Sequence, residues 1–246
     1  ITEEKIESLL DGVFHNDINQ EDLAGQSGDR GFGLWPGIPF MEELPYFARQ
    51  KRVVLGNCGC YDPESIEEYI ARGGYRAYVK AIRNYTYEEV CDIVEKSGLR
   101  GRSGGGYVTG TKWKHALNTS SNARYLICNA KESDPGAFTD RTILESDPHR
   151  LIEGIAIASY AIGASTGIVF MRSGADQARR KLQLAIDRAR EFGLLGHNIF
   201  SSGYNLDIVI RKEPGAFVCG EETALINTLE GKRGMPQLKP PYPTSS

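Results

Sequence analysis

Short apolar runs alternate with helical patterns along most of the chain. The runs at residues 125–128, 168–171 and 206–210 are separated by longer segments with helical periodicity. This alternation is typical of a mostly parallel sheet whose two faces are covered by helices. Another apolar run, at residues 52–55, is a strand candidate further upstream. The pattern therefore predicts an α/β fold.

Residues 148–162 and 177–192 predict helices of two kinds. The first segment is apolar almost all round and follows Asp147, a candidate N-cap, which predicts a central buried helix. The second segment keeps its five basic residues away from one apolar face, which predicts a surface helix with a solvated polar side. That apolar face consists of Ala178, Leu182, Ala185, Ile186 and Ala189.

Two further helices are indicated by their N-terminal signals. Asp62 followed by Pro63 predicts one helix start, with Asp62 as N-cap. Thr86, with Glu89 three residues later, forms a capping-box pattern that predicts another.

The glycine-rich segment at residues 98–113 stands out from these regular elements. It holds six glycines, two arginines and one lysine. A backbone without Cβ atoms can approach an anion closely, and nearby cations favour a phosphate. The residue order fits neither a Walker loop, since Thr111 precedes Lys112, nor the G-x-G-x-x-G fingerprint of dinucleotide-binding folds. On composition alone, a plain flexible loop is an equal alternative.

A second candidate feature is the turn at Gly220, which is followed by Glu221 and Glu222 at the start of a predicted helix at residues 221–230. Acids in the first turn of a helix often only complement its dipole, a contribution of ~0.3–1 kcal/mol each. Beside a phosphate loop, the same two carboxylates would instead form a pocket that accepts hydrogen bonds from a flavin ring and from ribose hydroxyls.

Composition and charge narrow the class of protein. The net charge of −3 argues against a nucleic-acid partner. No apolar stretch reaches the roughly 18 residues of a membrane span, and the N-terminal sequence ITEEKIESLL is acidic rather than a cationic signal peptide. We therefore expect a soluble, cytoplasmic protein with no direct membrane span. The five cysteines are scattered, which predicts reduced thiols that pack as small hydrophobes and no metal site.

Two longer segments carry a resemblance to a known family. They read RYLICNAKESDPGAFTDR at residues 124–141 and GAFVCGEETALINTLEGKRGMPQLKPPY at residues 215–242. Together with the glycine-rich segment, they resemble the NADH- and FMN-binding flavoprotein subunit of respiratory complex I and the diaphorase subunits of NAD-reducing hydrogenases and formate dehydrogenases. The resemblance runs from about Arg52 to the last residue. It implies a Rossmann-like, mostly parallel sheet flanked by helices, the FMN-binding domain of that subunit.

The resemblance also implies a domain organisation and an activity. Residues 1–50 would form a partly irregular N-terminal arm, and residues 51–246 the FMN- and NADH-binding α/β domain. Hydride would move between NADH and FMN, and single electrons between FMN and the iron-sulfur clusters of a larger complex. No side-chain acid or base is obligatory for this transfer, so no catalytic residue is expected.

The cofactors and partners implied by the family are FMN, NAD(H) as substrate, and iron-sulfur subunits. The ubiquitin-like and 4Fe-4S domains of the family are expected outside this chain, so that the 4Fe-4S cluster would lie in a further C-terminal region or in a partner. Expected partners are a 2Fe-2S thioredoxin-like subunit and a hydrogenase or formate dehydrogenase subunit.

Site residues follow from the motif positions that this chain shares with the family. The residues matched to FMN are Gly101, Arg102, Gly104, Lys112, Asn129, Lys131, Glu132, Ser133, Gly220, Glu221 and Glu222. The residues matched to NADH are Tyr107, His115, Asp134, Glu222, Lys239 and Tyr242.

Four positions depart from the family pattern. Asp134 replaces a glutamate, Phe217 a tyrosine and His115 a phenylalanine. The fourth, Lys131, replaces an aspartate and reverses the charge near the flavin. If its ammonium approached the N1/C2=O edge of the ring, it would raise the flavin's reduction potential; the alternative is that it points to solvent or pairs with Glu132 or a neighbouring subunit.

Two other functional hypotheses remain open from the sequence. One is a subunit of the membrane-associated ferredoxin:NAD oxidoreductase type, against which the complete CGEE turn argues. The other is a structural paralogue that keeps the fold without a functional flavin. Flavin absorption near about 450 nm in the purified protein distinguishes the second from the main hypothesis.

Overall fold

The computed structural model describes Asp11, His15 and residues 37–102, 105–121, 123–134, 136–213 and 215–244. The chain divides into two compact units, Ile1–Cys60 and Tyr61–Ser246. The predicted boundary between residues 50 and 51 stays a prediction.

In the first unit, the residues from 37 onward form turns. A short 3-10 helix spans Met41–Glu43, and the Arg52 guanidinium lies 5.1 Å from the ring centroid of Phe47. The strand predicted at residues 52–55 is wrong, because these residues form loop and turn. The side chains of Val53 and Val54 are exposed, which differs from the burial expected of an apolar strand.

The second unit contains a parallel sheet of three strands in the order β1-β2-β3. They are β1 (Tyr125–Ala130), β2 (Thr166–Met171) and β3 (Asp207–Lys212). Tyr125 pairs with Thr166, which pairs with Asp207, so the three carboxyl ends meet at one edge of the sheet. The predicted α/β fold with a parallel sheet is confirmed, and the strand ends differ from the predicted ones by at most two residues.

Helices pack around this sheet. They are α1 (Ile66–Ala71), α2 (Arg76–Asn84), α3 (Tyr87–Lys96), α4 (Thr109–Asn118), α5 (Thr139–Ser146), α6 (Pro148–Ile162), α7 (Asp176–Glu191) and α8 (Glu222–Leu229). Short 3-10 helices span Ile199–Ser201 and Phe217–Gly220. Within the described residues, none of the helices is both long enough and apolar enough to cross a bilayer.

The predicted characters of α6 and α7 are confirmed. Helix α6 has ten buried residues and ends at Gly163 in the left-handed conformation (φ 67°), as expected of a central helix. Helix α7 buries one face, which consists of Ala178, Leu182, Ala185, Ile186 and Ala189. An apolar composition on all sides therefore predicted the buried helix α6, and the spacing of apolar residues on one face predicted the surface helix α7.

Of the three predicted helix caps, the structure confirms the one at Thr86 and corrects those at Asp62 and Asp147. Thr86 and Glu89 form the predicted capping box of α3. Helix α1, however, begins at Ile66, and its N-cap is Ser65, whose hydroxyl accepts from Glu68 N. Asp62 is not the cap, because its carboxylate accepts instead from the Glu64 backbone within the preceding turn.

Asp147 precedes α6 as predicted, but its side chain does not cap the helix. Its Oδ1 accepts a hydrogen bond of 2.8 Å from the buried Tyr61 hydroxyl. The carboxylate is therefore used for a long-range contact, which local sequence spacing does not reveal.

A buried polar cluster joins α6 to the segment around α1 and α2. Glu153 accepts from the Tyr69 hydroxyl (2.7 Å) and from Tyr75 N (2.8 Å). His149 Nδ1 lies 2.9 Å from the Tyr75 hydroxyl, and its ring stacks on Tyr69 with centroids 5.6 Å apart. Its Nε2 is buried without a hydrogen-bond partner in the described part of the chain. Burial lowers the pKa of His149 to about 4, so the ring is neutral in the folded protein.

The five cysteines are free thiols. Burial raises the pKa of Cys91 to about 11 and that of Cys128 to about 12, which keeps both as unreactive thiols at neutral pH. This agrees with the prediction that cysteines in apolar runs pack as small hydrophobes.

Candidate functional site

The glycine-rich loop joins α3 to α4 and is closed at its base by backbone hydrogen bonds. Gly101 N donates to Tyr107 O and Thr109 N to Leu99 O, both at 2.9 Å. Arg100 Nη1 reaches back to the Gly106 carbonyl, also at 2.9 Å. These contacts join the two described sides of the loop near α3 and α4. The predicted site residue Gly104 lies outside the described residues.

Helix α4 is held close against α3 just after this loop. A Cβ on Gly110 would collide with the backbone of Glu95, so only glycine permits this approach. Lys114 reinforces the contact, with its Nζ 2.6 Å from Asp92 Oδ1 and paired also with Glu95. Packing therefore fixes the first turns of α4, which carry Lys112, relative to the loop.

The turn after β3 meets the carboxyl end of β1. Asn129 Nδ2 donates to the Gly220 carbonyl at 2.9 Å. The Glu221 carboxylate accepts from Thr223 N (2.8 Å) and Ala224 N (3.0 Å), so it caps α8. Burial alone would raise the pKa of Glu221, but the hydrogen bonds from Thr223 and Ala224 hold it below its usual value. Glu221 therefore serves its helix, as the simpler alternative from the sequence proposed.

Glu222 is the centre of an ionic group that we call the lysine–glutamate cluster: Lys112, Glu222 and Lys239, with Glu221 beside it. Lys112 Nζ lies 3.4 Å from Glu222 Oε2, and Lys239 Nζ is bonded to Glu222 Oε1. Lys239 Nζ is also 3.6 Å from Glu221 Oε1. Burial opposes ionisation, but Lys239 and Lys112 lower the pKa of Glu222. The cluster lies open to water, since Lys112 and Glu222 expose about half of their side chains.

Lys131 lies in a different environment from the lysines of this cluster. Its side chain is 1% exposed, and its Nζ lies 3.2 Å from Glu213 Oε2. The same ammonium donates to Ser133 Oγ (2.6 Å) and to the Phe217 carbonyl (2.9 Å). The predicted alternatives, solvent exposure or pairing with Glu132, are therefore wrong.

Comparison with known proteins decides the family. Residues 94–246 match the family model described as the Nuo51 FMN-binding domain. This match covers more than half of the chain. The chain belongs to the Nuo51 FMN-binding domain family.

Curated relatives agree with this assignment. The chain is 52% identical over 198 residues to the NADP-reducing hydrogenase subunit HndC of Solidesulfovibrio fructosivorans, covering 80% of this chain and 40% of that protein. It is 54% identical over 179 residues to an NADH-quinone oxidoreductase subunit of Aquifex aeolicus (strain VF5), covering 73% of this chain and 42% of that protein. The chain spans about two fifths of the length of these relatives.

A solved structure shows the same fold. The NAD⁺-reducing [NiFe]-hydrogenase in its H2-reduced state matches with a TM-score of 0.63 at 28% identity, covering 99% of this chain and 36% of that chain. The resemblance inferred from the three sequence motifs is therefore confirmed, and so is the predicted fold class.

The exposed part of the site fits the phosphate-bearing cofactor that gives the Nuo51 FMN-binding domain family its name. Two ammonium groups converge on one carboxylate, which shows that they can share an anion. A Cβ on Gly105 would meet nothing within 4 Å, so the loop backbone is open to close approach. The described residues offer no group of three or more histidines, cysteines or acids placed for a metal ion.

The remaining predicted residues of this Nuo51-family site have local roles or open surfaces. Glu132 accepts from Asp140 N and Arg141 N at the start of α5, and Asp134 accepts from Gly136 N. These carboxylates stabilise the backbone of the motif segment. Residues with exposed side chains are Arg102, Tyr107, His115 and Tyr242. The C-terminal segment lies against the end of α4, where Thr119 Oγ1 donates to Thr244 O at 2.6 Å.

Glu213 and the Phe217 carbonyl are site components that sequence reasoning missed. A signal was present, because a lysine inside a buried motif needs a nearby counter-charge. Glu213 directly follows β3, and such a partner is expected at the carboxyl end of another parallel strand of the same sheet.

Proposed function

We propose that this chain is the FMN- and NADH-binding part of an electron-transfer oxidoreductase subunit. The observation that carries the proposal is the lysine–glutamate cluster, which brings together the glycine loop, the Glu221–Glu222 turn and the C-terminal segment. When bound, FMN would supply the conversion between hydride transfer and single-electron transfer. The residues described above would bind and orient the two ring systems.

The phosphate side of the site would be formed by Lys112 and the glycine loop. The Lys112 ammonium is exposed, lies one turn into α4, and already holds an anionic oxygen of Glu222. A phosphate dianion offers three strong acceptors and would compete well for this ammonium. The open backbone at Gly105 would contribute N–H groups from the other side.

The NADH side would be formed by Glu222 and Lys239. Glu222 is exposed and ionised, so its oxygens can accept from ribose hydroxyls once a ligand phosphate draws the lysines away. Lys239 would then meet the dinucleotide phosphates. A carboxylate at the ribose repels a 2′-phosphate, which favours NADH over NADPH. Because one relative is named an NADP-reducing hydrogenase subunit, this preference needs a direct test.

The proposed partners are iron-sulfur subunits of a larger redox complex. Both relatives quoted above are named as subunits, one of a hydrogenase and one of an NADH-quinone oxidoreductase. Electrons leaving the flavin would pass to such partners, and a 4Fe-4S cluster would lie in them or in a further region of the protein.

Titration of the purified protein with FMN tests the proposal. We expect saturable binding with flavin absorption near about 450 nm. Lys112→Ala removes a charge-assisted hydrogen bond of ~1.5–3 kcal/mol and should weaken FMN binding by about ten- to a hundredfold.

Lys212→Ala is the matched control. Lys212 is as exposed as Lys112 and is likewise ion-paired, with Asp176 at 3.5 Å, so its loss should leave FMN affinity unchanged. Absence of FMN binding by the wild-type protein would favour a structural paralogue, and equal losses in both variants would remove Lys112 from the site.

A further inference from the structure

The Lys131 ammonium lies within 3.2 Å of three oxygen atoms. These are Ser133 Oγ at 2.6 Å, the Phe217 carbonyl at 2.9 Å and Glu213 Oε2 at 3.2 Å. The contacts with Ser133 and Phe217 are hydrogen bonds, whereas the contact with Glu213 is an ion pair, since Glu213 Oε2 makes no hydrogen bond among the described residues. The Lys131 side chain is 1% exposed, and this burial does not fit the flavin-contacting role considered from the sequence.

The pair of Lys131 and Glu213 connects the two outer strands of the sheet. Lys131 directly follows β1 and Glu213 directly follows β3, on either side of the carboxyl end of β2. Glu213 is itself fixed, because its N–H donates to Met171 O at 2.9 Å and its carbonyl accepts from Ser173 Oγ at 2.5 Å. The ammonium is therefore held in place from the sheet side.

The third contact of Lys131 is with the turn that precedes the two glutamates. The 3-10 helix Phe217–Gly220 starts with the carbonyl that Lys131 binds and ends with Gly220, whose carbonyl accepts from Asn129 Nδ2 at 2.9 Å. Two residues at the end of β1 thus hold both ends of one turn. Glu221, the next residue, donates its N–H to Val218 O at 3.0 Å and caps α8.

We propose that Lys131 is a positioning residue, whose buried ammonium, ion-paired with Glu213, fixes the turn that precedes α8 and presents Glu222 to the ligand. Two hydrogen bonds from one strand end define the height and rotation of the turn above the sheet. With Lys131 removed, Asn129 would be the one side chain at the end of β1 that still hydrogen-bonds this turn among the described residues, and the Phe217 end of the turn would lose its anchor on the sheet. The identity of the ligand rests on the proposed function; the role of Lys131 toward the turn does not.

Removing the ammonium without leaving a buried charge provides the test. Lys131→Met and Glu213→Gln each leave one partner unpaired, so each single variant should lose stability strongly. The double variant Lys131→Met/Glu213→Gln removes both charges and should recover most of that stability. It still lacks the hydrogen bond to the Phe217 carbonyl. The double variant therefore separates the contribution of the pair to stability from its role in positioning the turn.

Two measurements on the double variant decide the proposal. In the ligand-free protein, amide hydrogen exchange at Glu221, Thr223 and Ala224 should accelerate by about tenfold or more, as expected for loss of one charge-assisted hydrogen bond. FMN and NADH dissociation constants should rise by about tenfold, with the exchange of β2 amides unchanged. Lys212→Met, the exposed-lysine control, should alter none of these quantities.

Wild-type exchange at these amides in the double variant, together with wild-type ligand affinities, would overturn the proposal and leave the pair a purely structural feature. Failure of the wild-type protein to bind FMN would contradict the proposed function alone, since the exchange measurement needs no ligand.

Discussion

Two lysine–glutamate contacts lie at the carboxyl edge of the same sheet and differ mainly in burial. In the lysine–glutamate cluster, Lys112 and Glu222 are about half exposed; in the other pair, the side chains of Lys131 and Glu213 are 1% and 6% exposed. Exposed pairs cost little to separate, because water replaces the lost partner. A buried pair cannot be separated without leaving a charge in an apolar surrounding. Burial therefore distinguishes charges that are available to a ligand from charges that hold the backbone.

Replacing Glu213 or Glu222 by alanine should give the largest effect, a difference in the loss of unfolding free energy. Glu213→Ala leaves the Lys131 ammonium buried without its counter-charge and should lower the free energy of unfolding by ~3–5 kcal/mol. Glu222→Ala removes only solvent-exposed pairs and should cost no more than about 1 kcal/mol. Urea unfolding of both variants measures the two values. Equal losses would show that burial does not separate the two pairs.

Acidification tests a third buried group, His149, which has no counter-charge in hydrogen-bonding range among the described residues. Its pKa is about 4 in the folded protein against an ordinary value of 6.5, so the unfolded chain binds the extra proton between these values. This contribution to stability is complete above pH 6.5 and is lost as the pH falls towards 4, by about 3 kcal/mol in all. His149→Gln should flatten the dependence of the unfolding free energy on pH in that window. If the substitution left the slope of unfolding free energy against pH unchanged, groups other than His149 would account for that slope.

The preference for NADH over NADPH tests whether Glu222, in the exposed lysine–glutamate cluster, lies at the ribose. Glu222→Ala removes the carboxylate that would repel a 2′-phosphate, while Lys112 and Lys239 keep their charge. The ratio of kcat/KM for NADPH to that for NADH should rise by about tenfold. Glu230→Ala serves as the control, since Glu230 lies at the far end of α8 and pairs with Lys232. A ratio that moves equally in both variants would place Glu222 away from the ribose.

Salt should produce the smallest effect. Raising the ionic strength screens exposed pairs, so the stability difference between wild type and Glu222→Ala should shrink by less than about 0.5 kcal/mol. The difference between wild type and Glu213→Ala should not change, because salt does not reach a buried pair. Unfolding titrations at two salt concentrations would reveal any contrary behaviour.

The elements that sequence analysis predicted correctly depend on local spacing. Helix α6 follows from a continuous apolar segment, α7 from the spacing of one apolar face, and the capping box of α3 from two residues three positions apart. The strand predicted at residues 52–55 failed because an apolar run forms a strand only where other strands pair with it.

The sequence motifs indicated the candidate site residues, but they did not indicate which contacts these residues make. Lys112, Glu222 and Lys239 were expected at one site and do converge. The partnership of Lys131 with Glu213 was missed, since only the parallel order of β1 and β3 brings these distant positions together. Glu221 caps its own helix, and its contact with a ligand stays a prediction.

The close contact of α3 and α4 at Gly110 affects how substitutions in the glycine-rich loop should be interpreted. Gly105 has room for a methyl group, so an alanine there would report contact between the loop and a ligand. At Gly110 the same methyl group has no space, and an alanine would report whether the two helices can still associate. Mutational tolerance at these neighbouring glycines therefore has different origins, and loss of activity at Gly110 would say nothing about ligand contact.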